Sequence, residues 1–168
     1  MPENLVPSCR DCNTEKSTSF SSNPQDQSLH PYYDHSKFVS DLWLYARVIE
    51  TDPTTFEFYA HAPDDWDSIS KRRVLKHMED YKLNDRFTVL ATDELPAIQH
   101  QLTKLGNDAD SNIISQFLIS KCESYENTHK NSWQGAMYRA LAESVWYCED
   151  GFKLSSPFHS NTYTDRPA

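Results

Sequence analysis

Glycine is scarce in this chain of 168 residues, which contains only Gly106, Gly135 and Gly151. So few glycines argue against a glycine-rich phosphate loop and against a dinucleotide-binding turn. They also argue against an all-β fold, because such folds need many tight turns. Helices joined by polar connections are therefore the expected architecture.

An excess of basic residues and a long apolar run are also missing. The net charge is −9, which argues against a large, non-specific DNA footprint. A small cleavage site is still compatible with this charge, since a metal cation would supply local positive charge there. No segment reaches the ~20 apolar residues of a membrane span, and the first residues do not form a signal peptide. We therefore expect a cytosolic protein without a membrane partner.

By composition the chain divides into three parts. Residues 1–35 hold a compact cysteine-containing unit and a polar loop, residues 36–154 a β-hairpin and a helical body, and residues 155–168 a flexible tail. The expected fold class is therefore α+β and mainly helical.

Hydrophobic periodicity predicts the individual elements. Residues 42–50 and 54–61 flank a turn that contains Pro53, and the second run alternates with period two, which indicates a hairpin. Helices are predicted over residues 67–81, 84–91, 92–105, 110–125 and 132–148, with Pro96 in the first turn of the third. Asn84 or Asp85 is the expected cap of the second helix, and Gly151 is the expected C-cap of the last. The first helix carries a predicted core stripe of Ile69, Val74, Leu75, Met78 and Tyr81. The stripe on the last helix is most simply a core face, although Trp146 and Tyr147 would also suit a partner interface.

Cys9 and Cys12 form a Cys-x-x-Cys knuckle, which lets two thiolates bind one Zn²⁺ at about 2.3 Å. Four ligands complete a structural zinc site, and Cys122 and Cys148 stand alone in predicted helices, so the knuckle is half of such a site. A redox motif of the thioredoxin type would need a preceding strand, for which there is no room. Two incidental cysteines are a further interpretation.

The residues around the knuckle extend this pattern. Residues 4–16 read Asn-Leu-x-x-x-Cys-x-x-Cys-Asn-x-x-Lys, and residues 29–34 read Leu-His-Pro-Tyr-Tyr-Asp. This combination resembles the second half of the ββα-metal finger of HNH endonucleases and the segment that follows it in a group of bacterial HNH proteins. A Trp-Leu-x-Ala-x-Val strand (residues 43–48) and a Trp-rich block (residues 133–152) extend the resemblance over most of the chain.

The resemblance implies a role for each matching residue. Asn4 corresponds to the loop asparagine that supports the site, and Asn13 to the helix residue that binds the catalytic divalent metal, Mg²⁺ or Mn²⁺. Lys16 corresponds to the basic residue near the scissile strand, and the two cysteines to one pair of a structural Zn²⁺ knuckle. DNA is the implied substrate. From the residues alone, Asn4 and Asn13 are also compatible with capping amides, and Lys16 with a solvated lysine.

In the family pattern, an Asp-His pair and a first Cys-x-x-Cys precede the loop asparagine. Only three residues stand before Asn4 here, so we expect a truncated finger and a chain that is catalytically incomplete by itself. His30 and His35 follow closely enough to face the substrate, or even to replace the missing base, and together with Asp34 they could form a metal-binding or phosphate-facing cluster. Next to tyrosines and a proline, however, a packed structural histidine is the commoner role.

Three hypotheses follow from the sequence. The first is an HNH endonuclease subunit or fragment, of the kind associated with phage defence or mobile elements. The second is a non-catalytic helical interaction module, whose acidic charge would suit a protein partner. The third is a homodimer in which Cys9 and Cys12 of two chains complete one zinc site.

Overall fold

The computed structural model describes residues 14, 21–30, 33–34, 36–105 and 110–153. Its fold is α+β and mainly helical, as expected, with a two-stranded antiparallel sheet. In chain order the elements are α1 (Lys37–Ser40), β1 (Leu44–Ile49), β2 (Thr55–Ala60), α2 (Ser68–Asp80), α3 (Leu83–Lys104), α4 (Ser111–Glu126), α5 (Trp133–Glu143) and α6 (Val145–Glu149). Two 3-10 turns cover Pro24–Asp26 and Gly151–Lys153.

The predicted hairpin is confirmed. Strands β1 and β2 pair from Leu44 opposite Ala60 to Ile49 opposite Thr55, so even-numbered positions share the inner face. Phe56 and Phe58 are buried on this face. Helix α5 packs along β1 and helix α3 along β2, which covers the inner face and leaves the other face outward.

Helix α2 begins at the predicted position, directly after Asp67. The Asp67 carboxylate accepts a hydrogen bond from the Ser70 backbone N–H at 2.8 Å, as an N-cap residue should. Its buried residues are Ser70, Val74 and Met78, which are four residues apart and lie on one narrow face. Ile69 and Leu75 are exposed, so the predicted core stripe of this helix is too wide.

The prediction of two helices between residues 84 and 105 is wrong. A single helix, α3, runs through Pro96, although an interior proline costs about 3 kcal/mol. Its buried residues, Ala91, Leu95, Ile98 and Leu102, lie on one face before and after the proline. Burying this continuous face offsets the cost, since each large aliphatic side chain contributes roughly 1.5–3 kcal/mol.

The expected cap of that helix is also wrong. Lys82 is the N-cap residue, with a positive φ of 48°. The Asn84 side chain instead accepts a hydrogen bond from the Phe58 backbone N–H at 2.8 Å, which joins the helix to the hairpin.

The predicted helix over residues 132–148 is interrupted at Ser144. The Ser144 backbone is extended, and its hydroxyl accepts a hydrogen bond from the Tyr147 N–H at 3.1 Å, so a new helix begins. Tyr147 is fully buried, which confirms the core interpretation for this residue and contradicts the interface interpretation. Gly151 does not end a long helix but starts a 3-10 turn. A Cβ atom there would lie 2.6 Å from the Trp146 ring, so this close approach requires glycine.

One hydrophobic core joins the hairpin to the helices. Its fully buried large side chains are Leu44, Val74, Ile98, Leu102, Ile114, Leu118, Met137, Tyr138, Leu141 and Tyr147. Among the described helices, none has the length and apolar character needed to cross a bilayer.

Candidate functional site

Most residues of the predicted nuclease site lie outside the described part of the chain. These residues are Asn4, Cys9, Cys12, Asn13, Lys16 and His35. Thr14, within the predicted finger helix, is described, and it has a helical backbone and an exposed side chain. What the structure places is the segment that follows the finger, residues 21–30, 33 and 34, which we call the connecting segment.

A buried ion pair fastens the connecting segment to helix α2. Arg73 donates to both carboxylate oxygens of Asp34, at 2.7 and 2.5 Å, which is the bidentate geometry of a strong pair. The same guanidinium donates to the carbonyl oxygens of Gln27 at 3.3 Å and Ser28 at 3.1 Å. It also lies 5.6 Å from the centroid of the Phe38 ring. Arg73 therefore binds the segment in its middle, at Gln27 and Ser28, and at its end, at Asp34.

The carboxylate of Asp34 is fully engaged. Its Oδ2 also accepts a hydrogen bond from the His30 backbone N–H at 2.7 Å. Partial burial alone would raise the pKa of Asp34, but the hydrogen bonds from Arg73 and His30 and the charge of Arg73 outweigh it and hold the pKa below 3.8. A carboxylate committed in this way is a poor candidate for a metal ligand.

A second set of polar contacts reinforces the first. The Ser28 hydroxyl donates to the Asp80 carboxylate, which also pairs with Lys76 one turn earlier on helix α2. The 3-10 turn Pro24–Asp26 packs against the same helix. The connecting segment is thus joined to the helical body at three places.

His30 is the one predicted substrate-facing residue that is described. Its ring lies 4.6 Å from the ring of Tyr33, centroid to centroid, and Tyr33 is largely exposed. The half-buried imidazole therefore stands beside the fastened Asp34 rather than within a cluster of ligands. Within the described ranges, no group of three or more His, Cys, Asp or Glu side chains is placed to hold a metal ion.

The two cysteines of the helical body have the character of structural thiols. Both are buried and unlinked. Burial and a hydrogen bond with Glu126 raise the pKa of Cys122 to about 12, and burial raises that of Cys148 as well. A zinc ligand or a nucleophile acts as the thiolate, so the raised pKa values disfavour both roles for Cys122 and Cys148.

Asn131 joins three parts of the fold, and sequence patterns do not reveal it. Its Oδ1 accepts from the backbone N–H groups of Trp43 at 2.8 Å and Leu44 at 3.0 Å. Its Nδ2 donates to the carbonyl oxygens of Phe38 at 3.3 Å and Asp41 at 2.8 Å. All four hydrogen-bonding positions of the amide are therefore used.

The outward face of the hairpin carries a group of rings with a cation, which we call the aromatic face: Tyr45, Tyr59, His61 and Arg139. The rings of Tyr45 and Tyr59 are stacked across the strands, with centroids 6.0 Å apart and planes 19° apart. His61 meets Tyr45 edge-on at 5.9 Å. The Arg139 guanidinium, from helix α5, lies 5.3 Å from the centroid of Tyr45. An arginine over a tyrosine ring is a cation–π contact.

Comparison with known proteins gives one informative similarity. No protein-family model matches the sequence, and no solved structure matches it. Protein ea31 of Escherichia phage lambda is 32% identical to this chain over 164 residues, which cover 91% of this chain and 54% of the phage protein. The chain therefore spans about half the length of the curated relative that it matches.

Proposed function

We propose that this chain belongs to an HNH-type endonuclease that hydrolyses DNA phosphodiester bonds with a divalent metal. The observation that carries the proposal is the motif over residues 4–16, followed by the His-Pro-Tyr-Tyr-Asp segment over residues 30–34. We further propose a cytoplasmic location, where thiols stay reduced and can bind zinc. The similar protein belongs to a bacteriophage, which is itself a mobile genetic element, and this agrees with the expected link of such nucleases to mobile elements.

Each residue of the motif has a separate role in this proposal. The Asn13 side-chain oxygen is a suitable ligand for a hard cation such as Mg²⁺ or Mn²⁺. Asn4 supports the site from the loop, and Lys16 contacts the phosphate near the scissile bond. Cys9 and Cys12 supply half of a structural zinc knuckle. When bound, the divalent cation stabilises charge on the phosphate and on the leaving oxygen.

The connecting segment offers the finger motif a fixed attachment to the helical body. Catalytic groups must be held to within fractions of an ångström, and sites supported by rigid elements achieve this best. Arg73 and Asp80 fasten the segment that follows the finger motif onto helix α2. The finger would therefore be joined to a fixed base rather than to a free linker.

The acidic composition sets the expected mode of DNA binding. A net charge of −9 opposes a wide electrostatic footprint, so we expect weak, salt-sensitive binding and a contact area centred on the metal. Asp34 is engaged by Arg73, so it is a poor substitute for the aspartate of the family's Asp-His pair, and we expect no DNA cleavage by these 168 residues alone.

Reading the DNA just upstream of the Met1 codon tests the proposal. An in-frame segment that encodes an Asp-His pair and a second Cys-x-x-Cys would support the nuclease. A stop codon directly upstream, without such a segment in the neighbouring frame, would favour the non-catalytic interaction module instead.

Zinc content gives an independent test on the purified chain. Two thiolates per chain predict about half a zinc ion per chain, with dimers, when two chains complete one tetrahedral site. Cys12→Ser should remove this zinc, whereas Cys148→Ser should leave it, because that thiol is buried in the helical body. Absence of zinc from both the monomer and the dimer of the parent chain would contradict the proposed knuckle.

A further inference from the structure

The aromatic face offers π surfaces to solvent rather than to the core. Tyr59 is 41% exposed, and His61 is exposed beside it. Tyr45 is held in place on two sides, by the Tyr59 ring and by the Arg139 guanidinium. The stack is thus rigid, and its most accessible ring is Tyr59.

Local charge on this face departs from the acidity of the whole chain. Arg47 is exposed on the outward face of β1 and donates to Glu57 through Nε at 2.6 Å. Arg139 pairs with Glu126. Each of the two arginines is therefore balanced by one carboxylate, so these charges are locally neutral on a chain whose net charge is −9.

Stacked, accessible rings beside guanidinium groups suit one class of ligand. A base that is free of a duplex can stack on an exposed tyrosine, and base–aromatic stacking is tolerant of sequence because every base has a π face. A phosphate next to the base needs a cation within reach, and Arg47, which is 64% exposed on the same face, can supply it. Bases inside a duplex are already stacked on one another, so a duplex cannot use the rings.

We propose that the aromatic face is a binding site for single-stranded DNA, with a base stacked on Tyr59 and a flanking phosphate contacting Arg47, while Arg139 holds Tyr45 in place. The choice of DNA rather than another single-stranded polymer rests on the proposed nuclease function. The site lies on the hairpin, separate from the finger motif of residues 4–16, and it would hold a strand while the finger acts on DNA.

Fluorescence anisotropy of a labelled oligo-dT of about 20 nucleotides tests this, in low salt and with EDTA to remove catalytic metals. Tyr59→Thr retains β propensity but removes the ring, so it should weaken binding by about 5- to 10-fold, the lower range for one stacked base. Tyr59→Phe keeps the π face and should bind within about twofold of the parent. Val89→Thr, at an exposed position on helix α3, is the matched control and should bind as the parent does.

Two further readouts make the test decisive. With one or two phosphates contacted, log K should fall with log salt at a slope of about −1. A duplex of the same length should bind more weakly than the single strand. Equal binding of Tyr59→Thr and parent, at matched melting temperature, would overturn the proposal, as would equal binding of duplex and single strand or no binding at all. Because EDTA excludes cleavage, failure here would leave the nuclease proposal standing, and failure of the nuclease tests would leave this result unchanged.

Discussion

Replacing Arg73 by methionine should release the connecting segment. Methionine keeps a long apolar side chain but removes the guanidinium, and with it the cation–π contact with Phe38 and four hydrogen bonds, two of them to the Asp34 carboxylate. Charge-assisted hydrogen bonds contribute about 1.5–3 kcal/mol each and neutral ones about 0.5–1.5 kcal/mol. The two side chains are only 16% and 14% exposed, so water screens the pair weakly. After the desolvation of Arg73 is set against these gains, we expect a loss of about 3 kcal/mol.

Urea unfolding and a double-mutant cycle measure this. With an m-value of about 1.5 kcal/mol/M, the midpoint should fall by about 2 M for Arg73→Met. Asp34→Asn should behave similarly, and the two changes together should cost about 2 kcal/mol less than their sum, since either one breaks the same pair. Amide hydrogen exchange should accelerate first in the connecting segment. A coupling energy below about 0.5 kcal/mol would refute the claim that this pair fastens the segment.

The remaining predictions concern acid stability, the amide junction, the glycine contact and the thiols. Because the pKa of Asp34 is lowered on folding, the ionised carboxylate contributes fully to the free energy of unfolding above pH 3.8, and this contribution is lost as pH falls through the folded pKa. The stability of Asp34→Asn should therefore fall less than that of the parent between about pH 4 and acid pH. Identical dependence of stability on pH in the two proteins would contradict this. Asn131→Ala should cost about 2–4 kcal/mol in urea unfolding, because two backbone N–H groups and two carbonyls lose their partner; a loss below about 1 kcal/mol would contradict the junction. Gly151→Ala should cost about 1–3 kcal/mol and alter the near-UV circular dichroism of Trp146, whereas an unchanged spectrum would rule out the close contact. Mass-spectrometric mapping after alkylation at pH 8 should find Cys122 and Cys148 unmodified until urea is added; rapid native modification would show that they are accessible.

Local patterns were sufficient for much of the fold. Alternation around Phe56 and Phe58 predicted the hairpin, and Asp67 and Asp110 mark the starts of α2 and α4 as capping residues do. These features depend on neighbours a few positions apart, which a sequence displays directly. The mainly helical character followed from the same signals.

Features that depend on tertiary contacts could not be predicted from local patterns. Pro96 predicted the start of a new helix. Helix α3 nevertheless continues through this proline, because its buried face extends on both sides of it. Ser144 lies within the apolar stripe predicted for residues 132–148, so periodicity predicted an uninterrupted helix there. Its hydroxyl instead accepts a hydrogen bond from the Tyr147 N–H and starts α6, which periodicity does not reveal. The role of Asn131 depends on backbone groups about 90 positions away, which no short pattern encodes.

The residues of the candidate site also differ in how far local sequence patterns predict their roles. The residues of the finger motif, residues 4–16, were chosen by resemblance, and their proposed roles stay predictions because they lie outside the described residues. Asp34 looked like a possible metal or phosphate ligand in sequence, but its partner Arg73 lies 39 positions away and gives it a structural role. The aromatic face was missed, although the alternation of the hairpin placed Tyr45 and Tyr59 on its outward side and so offered a signal.

Cleavage of supercoiled plasmid DNA tests the central claim most directly. The polypeptide to be assayed is this chain preceded by the segment that its upstream DNA encodes, with Mg²⁺ or Mn²⁺ and with EDTA as the control. We predict metal-dependent nicking that Asn13→Ala lowers by at least about 100-fold, because a metal ligand is lost, while Asn23→Ala, at the exposed start of a 3-10 turn, leaves it intact. No cleavage by the extended polypeptide, or equal cleavage by Asn13→Ala, would contradict the account.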